Sequence, residues 1–437
     1  MSNQLPNRYF RFKSIRDPLY GFIDISEIET KLIDTSSFRR LQNIKQLSHA
    51  YVVYPSAIHT RFEHSLGALH IANRLITELD FDDTSKEIIR IGMLLHDIGH
   101  GPFSHLFEHI LGKINNNRKN IHEEISRGII KNDPEINTIL GDKVDPVIKL
   151  LEHNPVTGWD PSTSSLAADV ISSGLDADKL DYLRRDSYHI GVAYGQFDLE
   201  RIIHMIRSTS NVEKHICIED KGKDAIENYR LGRYLMHAQV YAHHSRIVAD
   251  QMFLKALDLA VNEENIINPE QLKYDPTSSN EEFFKFYNSL DDRSIYDLII
   301  NTKPNSKAAS ILQNIKKRKL LKRVYESQPD KDISDAVIRQ RIMKMKKEDL
   351  ERISGEIADD GGLGHHEVIA YMATIPINLY DGEILVLSKG IAKTLDELSP
   401  IKASESTIIK FYIFGPDDPV LKEKIKTSAS VRFQIPV

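Results

Sequence analysis

Apolar residues recur along most of the chain at intervals of three and four, a pattern typical of amphipathic helices. The chain begins with a short extended lead-in over residues 1–33, in which Pro18 and Gly21 mark a turn. From Phe38 to Leu47 an apolar residue then recurs at every third position. This spacing predicts a helix that begins near residue 34.

Further helical patterns follow. Leucines between residues 66 and 79 predict a second helix, and residues 87–97 are apolar on almost every side, which predicts a buried third helix. Gly and Pro residues over 99–102 should end it, and another helix is expected from about Ser104. A long helical pattern covers residues 225–260.

The pattern changes towards the C-terminus. Residues 280–355 remain helical and are rich in Lys and Arg, whereas three segments after residue 366 are rich in β-branched and aromatic residues and predict strands: VIAYMATIPINLY, EILVL and STIIKFYIF. We therefore predict a mainly α fold, with a helical domain over residues 1–262 and a region over residues 263–437 that is first helical and then mixed α+β.

Composition narrows the class of protein. The 437 residues carry 57 Lys and Arg against 63 Asp and Glu, a net charge of −6, so nucleic acid is not an expected partner. A single cysteine, Cys217, excludes an intramolecular disulfide and a cysteine-based zinc site. The chain has no apolar run of the roughly 18 residues that span a bilayer and no apolar signal core, so we expect a cytoplasmic protein without membrane association.

The strongest chemical signal is LLHDIGHGPFSH, residues 94–105. An apolar helix ends there in His96 and Asp97, and burial of an unpaired imidazole and carboxylate is costly. A metal ion would offset that cost. The alternative is that His96 simply interacts with the helix C-terminus, where a cation is favoured. On this pair alone both interpretations stay open.

Two other segments supply compatible ligands. HTRFEHSLG places Arg61 one turn before His64, and GLDADKLDYLRRD contains Asp178 among several aspartates. Taken alone, His64 is more typical of a packed or surface histidine, and the aspartates of a solvated, salt-bridged helix. Two imidazoles and two carboxylates together suit an open site for Mn, Fe, Mg, Ni or Zn.

The order His64, His96-Asp97, Asp178 is the H…HD…D signature of the HD phosphohydrolase superfamily. DTSSFRRLQNIKQLSHAYVVYPSAIHTRFEHSLG, LLHDIGHGPFSHLFE, HEE and DADKLDYLRRDSYHIG further resemble the deoxynucleoside triphosphate triphosphohydrolases, a group that includes the vertebrate SAM-and-HD-domain enzyme and bacterial relatives. The resemblance covers about residues 10–260 and includes no SAM domain. It implies an HD-domain helical bundle around a divalent metal ion.

The resemblance also implies a role for each of three groups of residues. The implied metal ligands are His64, His96, Asp97 and Asp178. The implied catalytic group is His105, Glu108, His122 and Glu123, with Glu at position 108 where the family usually has Asp. The implied substrate-binding group is Gln46, Leu47, Arg61, Lys179, Tyr182, Asp186, Arg233, Tyr241 and His243.

The implied reaction is attack of water on the α-phosphorus of a dNTP, which releases deoxynucleoside and inorganic triphosphate. His105 would protonate the 5′-oxygen or contact the α-phosphate, and cationic side chains would hold the triphosphate. Leu47 and Tyr241 would exclude a 2′-hydroxyl, although an apolar wall discriminates by only about 1–3 kcal/mol.

Regulation is a further implication, because the vertebrate enzyme binds guanine nucleotides between subunits. The implied effector-binding residues are Lys13, Asp34, Arg39, Gln42, Arg201 and Lys221. Arg39 and Gln42 stand where that enzyme has Gln and Arg, and Glu219 replaces an Arg, so the dGTP or GTP specificity departs from the pattern. Ordinary surface charge is the equal alternative. A homo-oligomer, dimer or tetramer, is expected.

Two other functions remain alternatives. The first is an HD phosphohydrolase that acts on a nucleoside monophosphate, a cyclic nucleotide or an alarmone. The second is a non-enzymatic nucleotide or nucleic-acid sensor. The basic segment KKRKLLKR, residues 316–323, would suit effector phosphates or nucleic acid, but a solvated helix face is the simpler interpretation.

Overall fold

The computed structural model describes residues 11–376, 383–399 and 407–434. These residues form two compact units that alternate along the chain. The first unit contains residues 11–236, 268–297 and 383–399, and the second contains residues 237–267, 298–376 and 407–434. A single domain boundary near residue 262 stays a prediction.

Helices dominate, so the predicted mainly α fold is confirmed. They are α1 (Glu27–Ile33), α2 (Ser36–Arg39), α3 (Arg61–Glu78), α4 (Asp83–Leu95), α5 (His105–Ile114), α6 (Ile121–Asn132), α7 (Pro134–Leu140), α8 (Val144–Leu151), α9 (Pro161–Ile171), α10 (Ala177–Ile190), α11 (Leu199–Met205), α12 (Lys223–Leu235), α13 (His244–Asp258), α14 (Glu281–Tyr287), α15 (Asp292–Thr302), α16 (Lys307–Lys316), α17 (Pro329–Asp332), α18 (Ala336–Met343), α19 (Lys347–Gly361), α20 (Leu395–Leu398) and α21 (Pro419–Phe433).

The strands form three small sheets. They are β1 (Lys13–Asp17), β2 (Gly21–Ile25), β3 (Ile206–Ser208), β4 (Ile216–Glu219), β5 (Lys322–Ser327), β6 (Ile369–Pro376), β7 (Leu385–Ser388), β8 (Ile391–Thr394) and β9 (Thr407–Gly415). The first unit contains the β1–β2 hairpin and a sheet of order β3-β4-β7-β8, in which β4 and β7 are parallel. The second unit contains an antiparallel sheet of order β5-β9-β6. Each of the three predicted C-terminal segments contains a strand, β6, β7 or β9, and residues 377–380 and 406 of these segments lie outside the described residues.

The packing of the first unit brings α3 against both α4 and α10. Residues 88–95 of α4 are all buried, as their apolar pattern predicted. Gly67 lets α10 approach α3 closely, since a Cβ at this position would lie 2.1 Å from Oδ1 of Asp181 and 2.2 Å from Nη2 of Arg185. In the second unit, α19 and α21 pack with the three-stranded sheet around a core that includes Phe411 and Phe433.

Several predicted helices differ from the structure. The segment from Phe38 to Leu47 is not one helix: α2 is followed by a 3₁₀ turn over Arg40–Asn43. A spacing of exactly three residues fits the period of a 3₁₀ helix, which explains how these apolar residues are buried without a continuous α-helix. The lead-in is also shorter than predicted, because Ser26 and Glu29 form a capping box that starts α1.

Two other segments also depart from expectation. The long helix over residues 225–260 is interrupted by a π-helical segment, Met236–Tyr241, between α12 and α13. The basic segment over residues 316–323 is not a helix face, since α16 ends at Lys316 and β5 begins at Lys322. Within the described residues, no helix is both long and apolar enough to cross a bilayer.

Candidate metal and catalytic centre

Three helix ends converge on one site in the first unit. Helix α3 starts with a capping box in which Glu63 accepts a hydrogen bond from the backbone of Thr60 (2.7 Å), and its first turn carries His64. Helix α4 ends at its C-cap residue His96, and Asp97 follows directly. Helix α10 starts from the N-cap Asp176 and carries Asp178 in its first turn. The helix boundaries thus assemble the four implied ligands.

The potential ligand atoms lie at the spacing that one ion requires. Nε2 of His64 is 3.0 Å from Oδ1 of Asp178 and 3.6 Å from Oδ2 of Asp97. Nε2 of His96 is 3.5 Å from Oδ1 of Asp97 and 3.8 Å from Oδ1 of Asp178. Metal bonds of about 2.0–2.2 Å at right to tetrahedral angles place ligand atoms roughly 3.0–3.6 Å apart. Three of these distances lie within this range, the fourth is slightly longer, and Asp97 faces the two imidazoles with different oxygens. His64, His96 and Asp178 thus form a compact donor set that fits a divalent cation, with Asp97 beside it.

Hydrogen bonding fixes both imidazoles in the tautomer that a ligand needs. Nδ1 of His64 donates to Oδ2 of Asp181 (2.9 Å), and Nδ1 of His96 donates to the Met93 carbonyl (2.7 Å). Both Nε2 atoms are buried and make no hydrogen bond to any other residue that the structure describes. A neutral ring therefore turns its Nε2 lone pair towards carboxylate oxygens, which is favourable only with a cation between them. The helix-end contact of His96 and its role as a ligand are thus compatible.

Electrostatics also show that the site requires positive charge. Although burial opposes it, the nearby carboxylates of Asp178 and Asp181 raise the pKa of His64 to about 10. The pKa of His96 is raised as well, because Asp97 and Asp178 outweigh its burial. The pKa of Asp97 lies well below its usual range despite burial, chiefly because of Arg61 and His96. Without a metal ion, protons must balance these carboxylates.

A second cluster of histidines adjoins this site. Glu108 bridges two of them, accepting from Nδ1 of His105 (2.9 Å) and Nδ1 of His122 (2.7 Å). Burial opposes the charge of Glu108, but these hydrogen bonds hold its pKa well below the ordinary value. Glu123 is exposed on α6 and does not join the cluster in this conformation. The cluster thus consists of a carboxylate and its two imidazole partners, plus a residue that the sequence analysis missed.

The missed residue is His100. It is buried, its ring stacks on His122 at a centroid distance of 4.1 Å, and its Nε2 lies 3.3 Å from Oδ1 of Asp97. His100 therefore connects the proposed ligand Asp97 to the histidine cluster. Its spacing of three residues from Asp97 was the available signal, but the glycines around it favoured a plain turn.

The loop before α5 has an unusual backbone. Phe103 and Ser104 both have φ of +55°, a left-handed conformation that is strained in residues other than glycine. Buried Asp292 accepts a hydrogen bond from the Phe103 amide (2.6 Å) and another from the Lys45 amide (3.0 Å). These contacts fix the direction in which the chain enters α5 at His105.

Two of the predicted phosphate-binding residues, Arg61 and Lys179, lie around the centre and already have partners. Arg61 donates to Asp97 (2.5 Å) and through Nε to Ser104 (2.9 Å). Lys179 donates to Asp176 (2.6 Å) and to the Ser173 carbonyl (3.1 Å), and the nearby carboxylates raise its pKa despite burial. An arginine has five N–H donors and a lysine three, so both retain donors for a phosphate.

The other predicted substrate-binding residues are dispersed. Burial raises the pKa of Tyr182 to about 12, although the guanidinium of Arg233 donates to its hydroxyl. Gln46 and Leu47 are buried, and Asp186 is bound to His59 (2.7 Å). Tyr241 and His243 belong to the second unit, where Tyr241 ends the π-helical segment and Nδ1 of His243 accepts from the Ser245 amide (3.2 Å) to cap α13.

All six predicted effector residues are exposed, and four of them form two pairs. Arg39 donates to Asp34 (2.5 Å), and Arg201 donates to the Lys221 carbonyl (2.9 Å). Lys13 and Gln42 are exposed. Glu219, which departs from the family pattern, is bound to Arg207 (2.8 Å).

Comparison with known proteins agrees with this geometry. Residues 61–185 match the HD domain, and residues 197–418 match the HD associated region. The uncharacterized protein YwfO of Bacillus subtilis is 38% identical over 256 residues, which cover 57% of this chain and 56% of YwfO. The human deoxynucleoside triphosphate triphosphohydrolase SAMHD1 is 31% identical over 382 residues, which cover 79% of this chain and 58% of SAMHD1. The matches thus span little more than half the length of these two relatives.

A solved structure extends the similarity over the fold. A phosphohydrolase from Bacteroides thetaiotaomicron superposes with a TM-score of 0.71 at 26% sequence identity, and the match covers 92% of this chain and 99% of that one. HD domains bind divalent metal ions, and the described residues include the compact group His64, His96 and Asp178. The resemblance inferred from the sequence is confirmed, and the chain belongs to the HD-domain phosphohydrolase family.

Proposed function

We propose that this phosphohydrolase is a metal-dependent dNTP triphosphohydrolase. The observation that carries the proposal is the direct connection through Asp97 of two clusters: its carboxylate lies 3.5 Å from Nε2 of His96 and 3.3 Å from Nε2 of His100. A metal site and a group of proton-carrying imidazoles therefore share one carboxylate. This arrangement suits hydrolysis of a phosphoester, in which charge develops on phosphate oxygens while a leaving oxygen needs a proton.

His64, His96, Asp97 and Asp178 would hold the ion, whose identity among Mn, Fe, Mg, Ni and Zn stays open. When bound, a divalent ion supplies a Lewis acid that polarises a phosphate oxygen. The buried Nε2 atoms of His64 and His96 support this assignment, because each faces anionic oxygens and forms no hydrogen bond within the described part of the chain.

The imidazole cluster would handle the proton. The side chain of His105 is 67% exposed at the mouth of the site, and Glu108 orients its ring through Nδ1. Nε2 of His105 is then the atom that would donate a proton to the 5′-oxygen of the departing deoxynucleoside. The carboxylate of Glu108 stabilises the protonated ring, and His122 shares that carboxylate from the other side.

Substrate specificity would come from the residues around the metal site and the imidazole cluster. Arg61, Lys179 and Arg233 would bind the triphosphate, with Tyr182 oriented by Arg233. Gln46 and Asp186 would contact the 3′-hydroxyl, and Leu47 would line the sugar. The human relative is named for the same reaction on deoxynucleoside triphosphates, which supports this substrate class. The exposed position of Glu123 leaves it a supporting role at most.

Regulation by a nucleotide such as dGTP or GTP, in a homo-oligomer, belongs to the same proposal. Arg201 and Lys221 would bind effector phosphates together with Lys13, and Asp34, Arg39 and Gln42 would contact the base. Arg39 already neutralises Asp34, so an effector base would have to replace this ion pair.

The test is chromatography of the products that the Mn²⁺-loaded protein forms from each dNTP and each NTP, with and without added dGTP or GTP. The expected products are deoxynucleoside and inorganic triphosphate. Monophosphate with pyrophosphate would refute the proposed bond cleavage. The Asp178→Asn protein serves as the control for a contaminating phosphatase, because it lacks a proposed ligand.

A further inference from the structure

We propose that Tyr20 and Asp17 of the β1–β2 hairpin are positioning residues for the metal centre. This inference rests on the metal site of the proposed function. The hairpin precedes residues 61–185, which match the HD domain, so it would complete the metal site from outside that domain.

Asp181 connects the hairpin to the ligand His64. Its Oδ2 accepts from Nδ1 of His64 (2.9 Å) and from Nε of Arg185 (2.9 Å). Its Oδ1 accepts from the hydroxyl of Tyr20 (2.8 Å) and from Nη2 of Arg185 (3.1 Å). A carboxylate accepts about four hydrogen bonds, so every direction of Asp181 is used and its rotation is fixed. The His64 ring can then keep only one orientation.

Asp17 holds the other end of this arrangement. Its Oδ2 accepts from Nη1 of Arg185 (2.9 Å). Its Oδ1 accepts from the backbone amides of Leu19 (2.8 Å) and Tyr20 (3.0 Å), which shapes the turn between β1 and β2. A single carboxylate therefore places both Arg185 and Tyr20 against Asp181. The ring of Tyr20 also stacks on His70 of α3 at 4.7 Å, which limits its movement.

The packing leaves little room for an alternative arrangement. Asp17, Asp181 and Arg185 are almost completely buried, and a buried charge that loses its partner is strongly unfavourable. Gly67 brings α3 so close that any side chain there would overlap Asp181. The hydroxyl of Tyr20 is thus a small, removable part of a rigid support for His64.

The consequence concerns metal affinity. A carboxylate that accepts from the outer nitrogen of a ligating histidine orients the ring and increases its basicity, and loss of such a partner typically weakens metal binding by about 10–100-fold. Without the Tyr20 hydroxyl, Oδ1 of Asp181 keeps only its contact with Nη2 of Arg185, so the carboxylate that orients the His64 ring is held less tightly.

The experiment is a Co²⁺ titration of the metal-free full chain, followed by visible absorption. Tyr20→Phe removes one hydroxyl, and Tyr188→Phe removes the hydroxyl of an exposed tyrosine on α10 as the matched control. Tyr20→Phe is expected to raise the Kd for Co²⁺ by more than about twofold and to alter the absorption of the bound ion, while Tyr188→Phe matches the wild type. Asp17→Asn, which keeps the shape of the turn residue, should weaken binding in the same direction.

The outcomes separate this inference from the proposed function. If the wild type binds Co²⁺ and Tyr20→Phe and Asp17→Asn both bind it within twofold of the wild type with the same spectrum, the positioning role is refuted. A loss that Tyr188→Phe shares also refutes it. If the wild type itself binds no Co²⁺, the proposed metal centre is refuted, whatever the variants do. Circular dichroism at the titration temperature shows that each variant is folded.

Discussion

The guanidinium of Arg61 donates a hydrogen bond of 2.5 Å to the carboxylate of Asp97, and both side chains are buried. A residue expected to bind phosphate is thus the charge partner of a residue expected to bind metal. In the metal-free protein, the Arg61→Met substitution leaves the buried carboxylate of Asp97 without its guanidinium partner. Loss of one partner of a buried ion pair costs about 3–5 kcal/mol.

We therefore expect Arg61→Met to destabilise the metal-free protein by about 3 kcal/mol and the metal-loaded protein by less, because the bound cation replaces the guanidinium. By linkage, the variant binds metal more tightly than the wild type. Urea unfolding in EDTA and in Mn²⁺ measures both effects. Arg74→Met is the control on the same helix, since Arg74 pairs with the exposed Glu200 and its loss should cost under about 1 kcal/mol. An equal loss with and without metal would show that Asp97 is not a ligand.

Replacement of His105 should remove turnover alone, whereas replacement of Asp178 should remove both turnover and the bound metal. His105→Ala leaves all four proposed ligands in place, so the protein should keep its metal while turnover falls about 100-fold or more. Asp178→Ala should lose both metal and turnover. Elemental analysis together with product chromatography distinguishes the two variants. His109→Ala, one turn further along α5, is the control and should stay active. Metal loss in His105→Ala would contradict the separation of the two clusters.

The sequence predicted which residues meet at the proposed metal site better than it predicted their surroundings. His64, His96, Asp97 and Asp178 are close in space because each is tied to a helix end, and helix ends are visible in the order of residues as caps, glycines and prolines. The set of four residues came from the H…HD…D signature, because His64 and the His96-Asp97 pair, each taken alone, left other interpretations open.

Contacts between distant segments were not predictable in this way. Tyr20 and His64 bind Asp181 from 161 and 117 positions away, and the acceptor of the Phe103 amide is Asp292, 189 positions further along the chain. No local pattern encodes such pairs. The prediction of one helix from Phe38 to Leu47 was wrong for a different reason. Burial at every third residue is equally compatible with successive 3₁₀ turns.

His70 should make the stability of the protein depend on pH. Burial, assisted by the charge of Arg74, lowers the pKa of His70 to about 4 from an ordinary value of 6.5. Between these values the unfolded chain binds a proton that the folded protein does not, so stability decreases as pH falls from 6.5 to 4, by about 3 kcal/mol in all. His70→Phe keeps a ring against Tyr20 and removes this dependence. Free energies of unfolding at pH 7 and pH 4.5 measure the difference.

The control for this variant is His204→Phe, because His204 is exposed. It should retain the pH dependence of the wild type. If His70→Phe loses as much stability as the wild type between pH 7 and pH 4.5, another group causes the decrease and the assignment to His70 is wrong.

Asp292 should control catalysis through the backbone. It is buried at the start of α15 and binds the amides of Phe103 and Lys45, as well as the Lys45 ammonium (3.3 Å). Asp292→Ala leaves two buried amides without their acceptor, at about 1–3 kcal/mol each. The strained Phe103–Ser104 backbone can then relax, and α5 no longer presents His105 at the same position.

Turnover of Asp292→Ala should therefore fall by at least about tenfold while the metal content stays that of the wild type, because the metal ligands lie on other segments. Asp292→Asn keeps one acceptor oxygen for the Phe103 amide and should recover part of the activity, which a general loss of folding would not allow. Asp297→Ala, at a half-buried position on α15, is the matched control. Equal turnover in Asp292→Ala and the wild type would show that the loop keeps its shape without Asp292.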